Sequence, residues 1–388
     1  MTAPRPDLRP GVALAAAPVS LGARGRPDVS VVSSGHDVAD ARLHREVAAA
    51  RAAGLTVEVL ALGNAADGPC GAQVRVRPRP RGVVARLALA LAQPWRARGR
   101  VLLTLDPDVV PAALVVARLR RCAVVVDVHE DYLALLDDRH WARGAAGRLV
   151  RAGVRGVLAT ARRADLLVVA DDHVPPATTG RGRQRLVVRN APSGTYLPQP
   201  SPPDPRPRAL YIGDVRRTRG LQTMLAALEG APDWTLDVVG PVAADDAAWL
   251  ERWRSSSPAA GRARFHGRMP PAAAWRLAAG AWVGLCMLED TPAFRDAVPS
   301  KIYEYLAAGL AVVTTPLPRA AEIVEFSRGG LVLPDATALS ATLRSWAERP
   351  QELQPMRAAA AEWAREAFGG ASAYDELARR LRELSSRP

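Results

Sequence analysis

Lysine is almost missing from this 388-residue chain, because 51 of its 52 basic side chains are arginine. The single exception is Lys301. An ammonium group is compact and rotates freely, whereas a guanidinium is a planar fork of donors. In a sequence whose default cation is arginine, a lone lysine indicates a position where the compact group is needed.

Cysteine, aromatic residues and long apolar runs are also scarce. Cys70, Cys122 and Cys286 are scattered, which gives no zinc or disulfide spacing and fits a reducing cytoplasm. Aromatic residues make up 5% of the chain, too few for a base-stacking platform, so we expect no nucleic-acid partner. No stretch reaches the roughly 18 uncharged apolar residues that a membrane span needs.

Positive charge is concentrated in the first half of the chain. Residues 1–200 hold 29 Arg against 17 Asp plus Glu, a net charge of +12 out of a total of +13. Arginines within 75–86 and 139–163 accompany apolar residues such as Trp95, a pattern typical of surfaces that lie on anionic membranes. Solvated arginines of an arginine-rich sequence are the alternative. We therefore expect a cytoplasmic protein, and the first interpretation makes it peripheral on the inner face of the plasma membrane.

Short aliphatic runs alternate with helical stretches from residue 28 onward, which predicts an α/β fold with parallel sheets covered on both faces. Six prolines fall within residues 197–207, a composition typical of an interdomain linker. We predict two doubly wound, Rossmann-like domains that face a central cleft. The predicted units are a flexible tail (1–27), a first domain (28–196), the linker (197–207), a second domain (208–365) and a C-terminal helix that packs back on the first domain (366–388).

Ligands of doubly wound sheets bind at the carboxyl ends of the strands, and one helix at such an end has a distinctive pattern. Pro299 and Ser300 predict its start, and Gly309 predicts its left-handed end. Lys301 and Glu304 fall three residues apart on one face. Near a helix N-terminus this pair suits a nucleotide, since the ammonium binds phosphate and the carboxylate accepts ribose hydroxyls. An ordinary surface ion pair is the alternative.

The segment 299–315 closely resembles the donor-binding motif of family 4 glycosyltransferases, which are retaining enzymes with the GT-B fold. It reads Pro-Ser-Lys-Ile-Tyr-Glu-Tyr-Leu-Ala-Ala-Gly-Leu-Ala-Val-Val-Thr-Thr. The resemblance implies that Glu304 holds the donor ribose and that Lys301 binds the donor diphosphate. The glutamate that the family often carries eight positions earlier is replaced here by Asp296, a shorter carboxylate that we expect at the catalytic centre.

The segment 210–221 resembles the strand, loop and helix that open the donor-binding domain of the same family. There a basic residue before a glycine helps to neutralise the donor diphosphate, and Arg219 holds that place. Gly213 and Arg217 are further donor-binding candidates in this loop. Asp214 stands where relatives often carry arginine.

The first domain contains two segments that resemble the acceptor side of the family, one of them residues 33–45, which are similar to its first loop and helix. Gly35 is expected to let backbone N–H groups approach the donor diphosphate or the acceptor. A second segment, 187–192, is similar to the loop that precedes the family's linker. The acceptor-side candidates in these two segments are His36, Asp37, Arg42 and Asn190.

Residues 126–132 read Val-Asp-Val-His-Glu-Asp-Tyr and follow an apolar strand. They resemble the Asp-x-His-Glu run of the same family, which implies that His129 lies in the cleft near the reacting sugar. A cluster of titratable residues at a strand end favours a functional site, so His129 and Glu130 are our catalytic candidates. A purely structural histidine is the alternative.

The resemblance implies transfer of a sugar from a UDP- or GDP-sugar to an acceptor hydroxyl with retention of configuration. The expected pathway is the synthesis of cell-envelope or other glycoconjugates, with a lipid-linked or envelope acceptor. GT-B enzymes use no essential metal, so we expect no cofactor and interpret Asp106-Pro-Asp108 as a surface turn rather than a metal motif. A sugar-nucleotide epimerase and a non-catalytic GT-B binding module are the alternatives.

Overall fold

The computed structural model describes residues 25–129, 131–137, 144–172, 174–180, 183–192, 197–295, 297, 299–370 and 372–387. Within these ranges the chain forms two α/β domains, each built on one parallel sheet. The strands of the first sheet are β1 (Val29–Asp37), β2 (Val57–Leu62), β3 (Gln73–Arg77), β4 (Val101–Thr104), β5 (Ala123–Val128), β6 (Leu166–Val169) and β7 (Gln184–Val187). The helices of the first domain that precede the linker are α1 (Ala41–Ala52), α2 (Val83–Arg96), α3 (Val110–Arg120), α4 (Tyr132–Asp137) and α5 (Gly144–Ala161).

The first sheet has the strand order β3-β2-β1-β4-β5-β6-β7. The direction of winding reverses between β1 and β4, so a crevice opens at the carboxyl ends of these strands. Every residue of β2, β4, β5 and β6 is buried, as expected of parallel strands that are covered on both faces.

Different helices cover the two faces of the first sheet. On one face α1 contributes Leu43 and Val47 to the core. On the other face α2, α3 and α5 contribute Ala90, Val116 and Leu158 to a separate core. The sheet therefore lies between two helix layers, and each layer has its own apolar packing.

The second domain repeats the same plan, with the strand order β10-β9-β8-β11-β12-β13. Its strands are β8 (Arg208–Ile212), β9 (Thr235–Val239), β10 (Ala263–Gly267), β11 (Val283–Cys286), β12 (Ala311–Thr314) and β13 (Gly330–Val332). Its helices are α6 (Leu221–Glu229), α7 (Ala244–Ser256), α8 (Pro271–Arg276), α9 (Pro292–Arg295), α10 (Ser300–Ala307), α11 (Pro318–Ser327), α12 (Ala336–Glu348) and α13 (Leu353–Phe368). Trp234 and Trp282 meet edge to face in its core, with ring centroids 5.6 Å apart.

The proline-rich segment 197–207 contains neither helix nor strand and lies against the second domain. Arg357 donates a hydrogen bond to the Ser201 carbonyl oxygen at 2.6 Å. The Trp282 indole N–H donates to the Asp204 carbonyl oxygen at 2.7 Å. These partly buried contacts fix the second half of the segment to the second domain, and Leu197 also packs against that domain's core.

The chain returns to the first domain through α14 (Ala373–Ser385), which packs against α1. Its side chains Leu377 and Leu381 join the same core as Leu43. A capping box starts the helix: Ser372 Oγ accepts from the Asp375 N–H at 3.2 Å, and the Asp375 carboxylate accepts from the Ser372 N–H at 2.9 Å. The chain thus crosses between the domains twice.

The predicted pair of doubly wound domains is confirmed, with one strand that the sequence pattern does not predict. This strand is β3, at the edge of the first sheet. Val74 and Val76 pack on the core, while Arg75 and Arg77, which alternate with them, are exposed. The alternation of Val and Arg is itself the period-two signal of a half-buried edge strand, and interpreting these arginines only as a basic surface misses it. Among the described helices, none combines the length and the apolar composition that crossing a bilayer requires.

Candidate active site

Asp106, just after β4, organises the loop that follows β1. Its carboxylate is 3% exposed and accepts hydrogen bonds from the Ser34 N–H at 2.9 Å and the Gly35 N–H at 3.0 Å. The Ser33 hydroxyl also donates to it. Burial alone raises the pKa of Asp106, but His36 and Ser33 outweigh burial and lower that pKa below its usual range. Asp106 is therefore a buried anion, and the interpretation of its segment as a surface turn is wrong for this residue.

Gly35 occupies a position that has no room for a side chain. A Cβ atom there would lie 2.7 Å from both Arg86 NH2 and Asp106 Oδ1. The Gly35 N–H already donates to the Asp106 carboxylate. The Gly35 N–H is thus used by Asp106 in this structure, and the expectation that Gly35 lets backbone N–H groups approach the donor diphosphate or the acceptor stays a prediction.

Two histidines meet at the carboxyl ends of β1 and β5. His36 Nε2 and His129 Nε2 are 3.0 Å apart, and the rings are edge to face with centroids 4.7 Å apart. His36 Nδ1 lies 3.2 Å from the Asp106 carboxylate, and His129 Nδ1 lies 3.8 Å from that of Asp127. A separation of 3.0 Å between two ring nitrogens is a hydrogen-bond distance, so one imidazole donates to the other.

Arg42 is 5% exposed, and protein acceptors hold its guanidinium. Its NH2 group donates to Asp127 at 2.7 Å, and its NH1 group donates to the Val188 carbonyl oxygen and to Asn190 Oδ1, each at 2.9 Å. Arg42 thereby joins α1, β5 and the loop after β7. These contacts give Arg42 and Asn190 a positioning role, and they do not support the predicted contact of Arg42 with an acceptor.

Glu46, one turn further along α1, is a buried carboxyl group beside this ion pair. Its Oε1 lies 3.6 Å from Arg42 Nε, and neither carboxyl oxygen has a hydrogen-bond partner in the described part of the chain. Burial raises the pKa of Glu46 well above its usual value, and the neighbouring Asp127 raises it further. Burial also acts to raise the pKa of Asp127, but Arg42 and the other neighbours lower it overall. The pKa values of the two carboxyl groups are therefore driven apart, that of Glu46 upward and that of Asp127 downward.

Asp37 ends β1 and faces the second domain. Its Oδ1 accepts from the Ala39 N–H at 3.1 Å, which fixes the turn into α1. Its Oδ2 lies 3.7 Å from Arg79 NH2 and 3.8 Å from Arg268 Nε of the second domain. Both ion pairs are long, and Asp37 stays a candidate for the acceptor side.

Lys301 is the second residue of α10 and is 6% exposed. Its Nζ lies 3.9 Å from the centroid of the Tyr211 ring and has no hydrogen-bond acceptor among the described residues. A ring face stabilises a cation but leaves the three ammonium donors unused. Gly213 lies directly against the ammonium, because a Cβ atom there would be 2.9 Å from Nζ. This arrangement can bind an anion at the end of β8.

The loop after β8 adds further arginines beside Lys301. Arg219 lies with its guanidinium carbon 5.3 Å from the centroid of the Phe294 ring, and its Nε has no hydrogen-bond partner in the described ranges. Arg217 has an exposed side chain. Asp214, in the place where relatives often have arginine, pairs with Arg216 at 3.2 Å. Arg219 therefore fits the predicted contact with a diphosphate better than Arg217 does.

Glu304 contacts a residue of the first domain that the sequence does not predict. Its Oε1 accepts from Arg45 NH2 at 3.2 Å, and the two side chains are 5% and 2% exposed. Arg45 NH1 also donates to Asn190 Oδ1 at 3.1 Å and to the Tyr374 hydroxyl at 3.3 Å. Arg45 therefore connects α1, the loop after β7, the returning helix α14 and the candidate donor helix α10.

The carboxyl edges of the two sheets face each other. Besides Arg45–Glu304, Arg319 NH2 of the second domain lies 3.0 Å from the Asp171 carboxylate of the first. Helix α4 of the first domain also contacts α9 of the second. The catalytic candidates Glu130 and Asp296 lie outside the described residues. Within the described ranges there is no group of three or more side chains that could hold a metal ion.

Residues 206–349 match the family model described as "Glycosyl transferases group 1". No curated protein sequence matches the chain. Among solved structures, sucrose-phosphate synthase from Thermosynechococcus elongatus superposes with a TM-score of 0.66 at 16% identity, covering 93% of this chain and 99% of that one. HepE from Anabaena in complex with UDP-glucose gives a TM-score of 0.63 at 14% identity, covering 92% and 98%. WaaG, a glycosyltransferase involved in lipopolysaccharide biosynthesis, gives 0.59 at 14% identity, covering 92% and 100%.

Over nearly its whole length the chain therefore has the two-domain fold of the GT-B glycosyltransferases. Its second domain, which carries Lys301, Glu304 and the arginine loop, is the part that matches glycosyl transferases group 1. These two findings confirm the predicted resemblance to GT-B glycosyltransferases.

Proposed function

We propose that the protein transfers a glycosyl group from a nucleoside diphosphate sugar to an acceptor hydroxyl. The observation that carries the proposal is the buried Lys301 ammonium, whose donors find no acceptor in the described part of the chain. Arg219 Nε, in the neighbouring loop, is likewise buried and has no hydrogen-bond partner in the described part of the chain. A diphosphate supplies both the charge and the acceptor oxygens that these groups need. The same contacts stabilise the negative charge that develops on the leaving group.

The nucleoside of the donor is proposed to lie along the first turns of α10. Glu304 follows Lys301 by three residues, so its carboxylate lies on the same side of the helix and accepts the ribose hydroxyls. A uridine nucleotide is the first donor to test, because HepE, which has a similar fold, binds UDP and UDP-glucose. A GDP-sugar is the second.

The reacting sugar is proposed to lie between the two sheet edges, near His129, with Glu130 and Asp296 as further catalytic candidates. The bond between the anomeric carbon and the diphosphate oxygen breaks, and a bond to the acceptor oxygen forms. The acceptor proton passes to the departing diphosphate. We infer retention of configuration from the resemblance of residues 299–315 to retaining enzymes.

The acceptor is proposed to be a lipid-linked or envelope glycan, at the cytoplasmic face of the plasma membrane. Two features support this choice. The first domain and its flanking residues carry nearly all of the net positive charge of the chain. One protein of similar fold, WaaG, is involved in lipopolysaccharide biosynthesis.

The test is release of nucleotide from UDP- and GDP-sugars, measured with and without a panel of acceptors. We expect release that depends on an acceptor, and a product whose anomeric configuration, read by NMR, matches that of the donor. An epimerase would instead convert the sugar nucleotide without an acceptor. Binding of the donor without turnover across the whole panel would identify a non-catalytic module.

A further inference from the structure

Exposed apolar side chains are concentrated on three helices of the first domain. Ten large hydrophobic side chains are exposed in the described part of the chain, and nine of them lie on α2, α3 and α5. The tenth is Phe326, on α11. The nine are Val83, Val84, Leu87, Leu91 and Trp95 on α2, Val115 and Leu119 on α3, and Leu149 and Val150 on α5. We call α2, α3 and α5 with these side chains the outer layer.

The outer layer is one continuous surface, because α3 packs against both α2 and α5. Its inward side chains fill the core over one face of the first sheet. Leu87, Leu91 and Trp95 recur every fourth residue along the opposite side of α2 and are 50%, 57% and 48% exposed. A helix that is apolar on its packed side and on its outer side indicates a contact outside the chain.

The outer layer also has charge of only one sign. The three helices carry seven arginines, two on α2, two on α3 and three on α5, and neither Asp nor Glu. The chain has 39 acidic residues in 388, so about four would fall among the 43 residues of these helices at the average frequency. The exposed arginines of the layer are Arg86, Arg96, Arg118, Arg120, Arg148 and Arg155.

We propose that the outer layer lies on an anionic lipid bilayer. The apolar side chains enter the boundary between headgroups and acyl chains. The exposed arginines other than Arg86, which is held by Asp106 and Asp108, pair with lipid phosphates around them. Charge complementarity selects this partner. A second copy of the chain would place arginines against arginines. A nucleic acid would satisfy the arginines but leave the nine apolar side chains in water.

The outer layer reaches the candidate site through the start of α2. Val83 and Val84 in its first turn are 74% and 82% exposed. Arg86 follows Val84 by two residues. It lies 3.2 Å from Asp106 and 2.8 Å from Asp108, at the carboxyl edge of the sheet. An acceptor anchored in the same bilayer would therefore arrive beside the acceptor side of the cleft. This last step rests on the proposed transferase function, whereas the docking itself does not.

The proposal is tested by co-sedimentation of the full chain with vesicles of phosphatidylcholine, alone or mixed with phosphatidylglycerol. We expect binding only to the anionic vesicles, weakened by added salt because exposed charges are screened. Replacing both leucines, Leu87→Asp with Leu91→Asp, should lower the partition coefficient by at least about tenfold, since two apolar side chains are lost from the interface. The control is Phe326→Asp, which removes a more exposed apolar side chain (77%) that lies outside the outer layer, and it should bind as the wild type does.

Unchanged melting temperatures will show that the variants fold, and an unchanged rise in melting temperature with UDP will show that the donor site is intact. Failure of docking is thereby distinguished from failure of the proposed transferase function. Wild-type binding by the Leu87→Asp/Leu91→Asp variant would overturn the proposal. So would absence of wild-type binding to anionic vesicles at low salt, or a dimer in solution that the double variant dissociates.

Discussion

Arg45 in the first domain and Glu304 in the second form a buried ion pair, with Arg45 NH2 3.2 Å from Glu304 Oε1. Glu304 is also the residue proposed to hold the donor ribose. Arg45 contacts Asn190, where the chain leaves the first domain, and Tyr374, where it returns. One side chain therefore links the candidate ribose site to both crossings between the domains, and a nucleotide that binds Glu304 changes the surroundings of that link.

Replacing Arg45 tests the energy of this pair. The variant Arg45→Met leaves the Glu304 carboxylate buried without its cation, which should lower the free energy of unfolding by about 3–5 kcal/mol. The double variant with Glu304→Gln should lose less than the sum of the two single variants, by at least about 1 kcal/mol. Urea unfolding of the three variants measures this coupling. Additive effects, within about 0.5 kcal/mol, would show that the two side chains do not interact.

Asp106→Asn tests the buried anion at the end of β4. The amide oxygen can keep the donors of Ser33, Ser34 and Gly35, but the amide nitrogen cannot accept from Arg86 NH2, and the charge is lost. We therefore expect a loss of roughly 3 kcal/mol at neutral pH. The pKa of Asp106 in the folded chain is below its ordinary value of 3.8. The contribution of the carboxylate is therefore fully present above about pH 4 and is lost as the pH falls through the folded-state pKa.

The difference in unfolding free energy between wild type and Asp106→Asn should accordingly stay constant from neutral pH to about pH 5 and shrink below about pH 4. Chemical denaturation across this range measures it. A difference that does not change at acid pH would mean that Asp106 is not ionised in the folded protein.

Glu46→Gln gives the opposite pH dependence. Burial and Asp127 raise the pKa of Glu46 well above its ordinary value of 4.5. Above that value the unfolded chain releases a proton that the folded chain keeps, so wild-type stability falls as the pH rises toward the folded-state pKa. The glutamine variant has no such loss. We expect it to melt at a higher temperature than the wild type at about pH 8 and at an equal temperature near pH 4. A gain of equal size at both pH values would contradict the raised pKa.

The fold and the donor side of the site could be predicted because their signals are local in the sequence. Alternating apolar runs mark the buried strands, and the Lys301–Glu304 helix is a continuous segment. The acceptor side is harder, because its contacts join residues far apart. Asp106 binds the loop of Ser33 to Gly35, about 70 positions earlier. A short Asp-Pro-Asp motif does not reveal that the sheet order places β1 next to β4.

Arg45 could not have been singled out, since it is one of 51 arginines and its partner Glu304 lies 259 positions away. Arg42, its neighbour on α1, illustrates the reverse case. The resemblance of residues 33–45 to the family's first loop and helix predicts that Arg42 lies on the acceptor side. In the structure, packing buries its guanidinium against Asp127 and Asn190. Which polar side chains face a ligand and which face the protein is decided by tertiary packing.

Gly220→Ala tests the shape of the arginine loop. Gly220 has a φ of 89°, and a Cβ atom there would lie 2.2 Å from the Met287 carbonyl oxygen. We expect a loss of about 2–4 kcal/mol in stability and a displaced Arg219, hence weaker donor binding. Gly261→Ala is the control, because no atom lies near its Cβ position and its φ is not positive. Calorimetric titration with UDP measures the binding, and equal affinities of the two variants would contradict this account of the loop.

Binding of UDP to Lys301→Met tests the central claim most directly. Methionine keeps the length of the side chain beside Tyr211 but removes a buried ammonium without an acceptor, so the ligand-free variant should be at least as stable as the wild type. Wild type at a UDP concentration about 100 times its dissociation constant should gain about 2.7 kcal/mol of stability. The variant should lose most of this gain at the same concentration, because a charge-assisted contact is gone. An undiminished rise in melting temperature with UDP in Lys301→Met would contradict the assignment of this helix to the donor diphosphate.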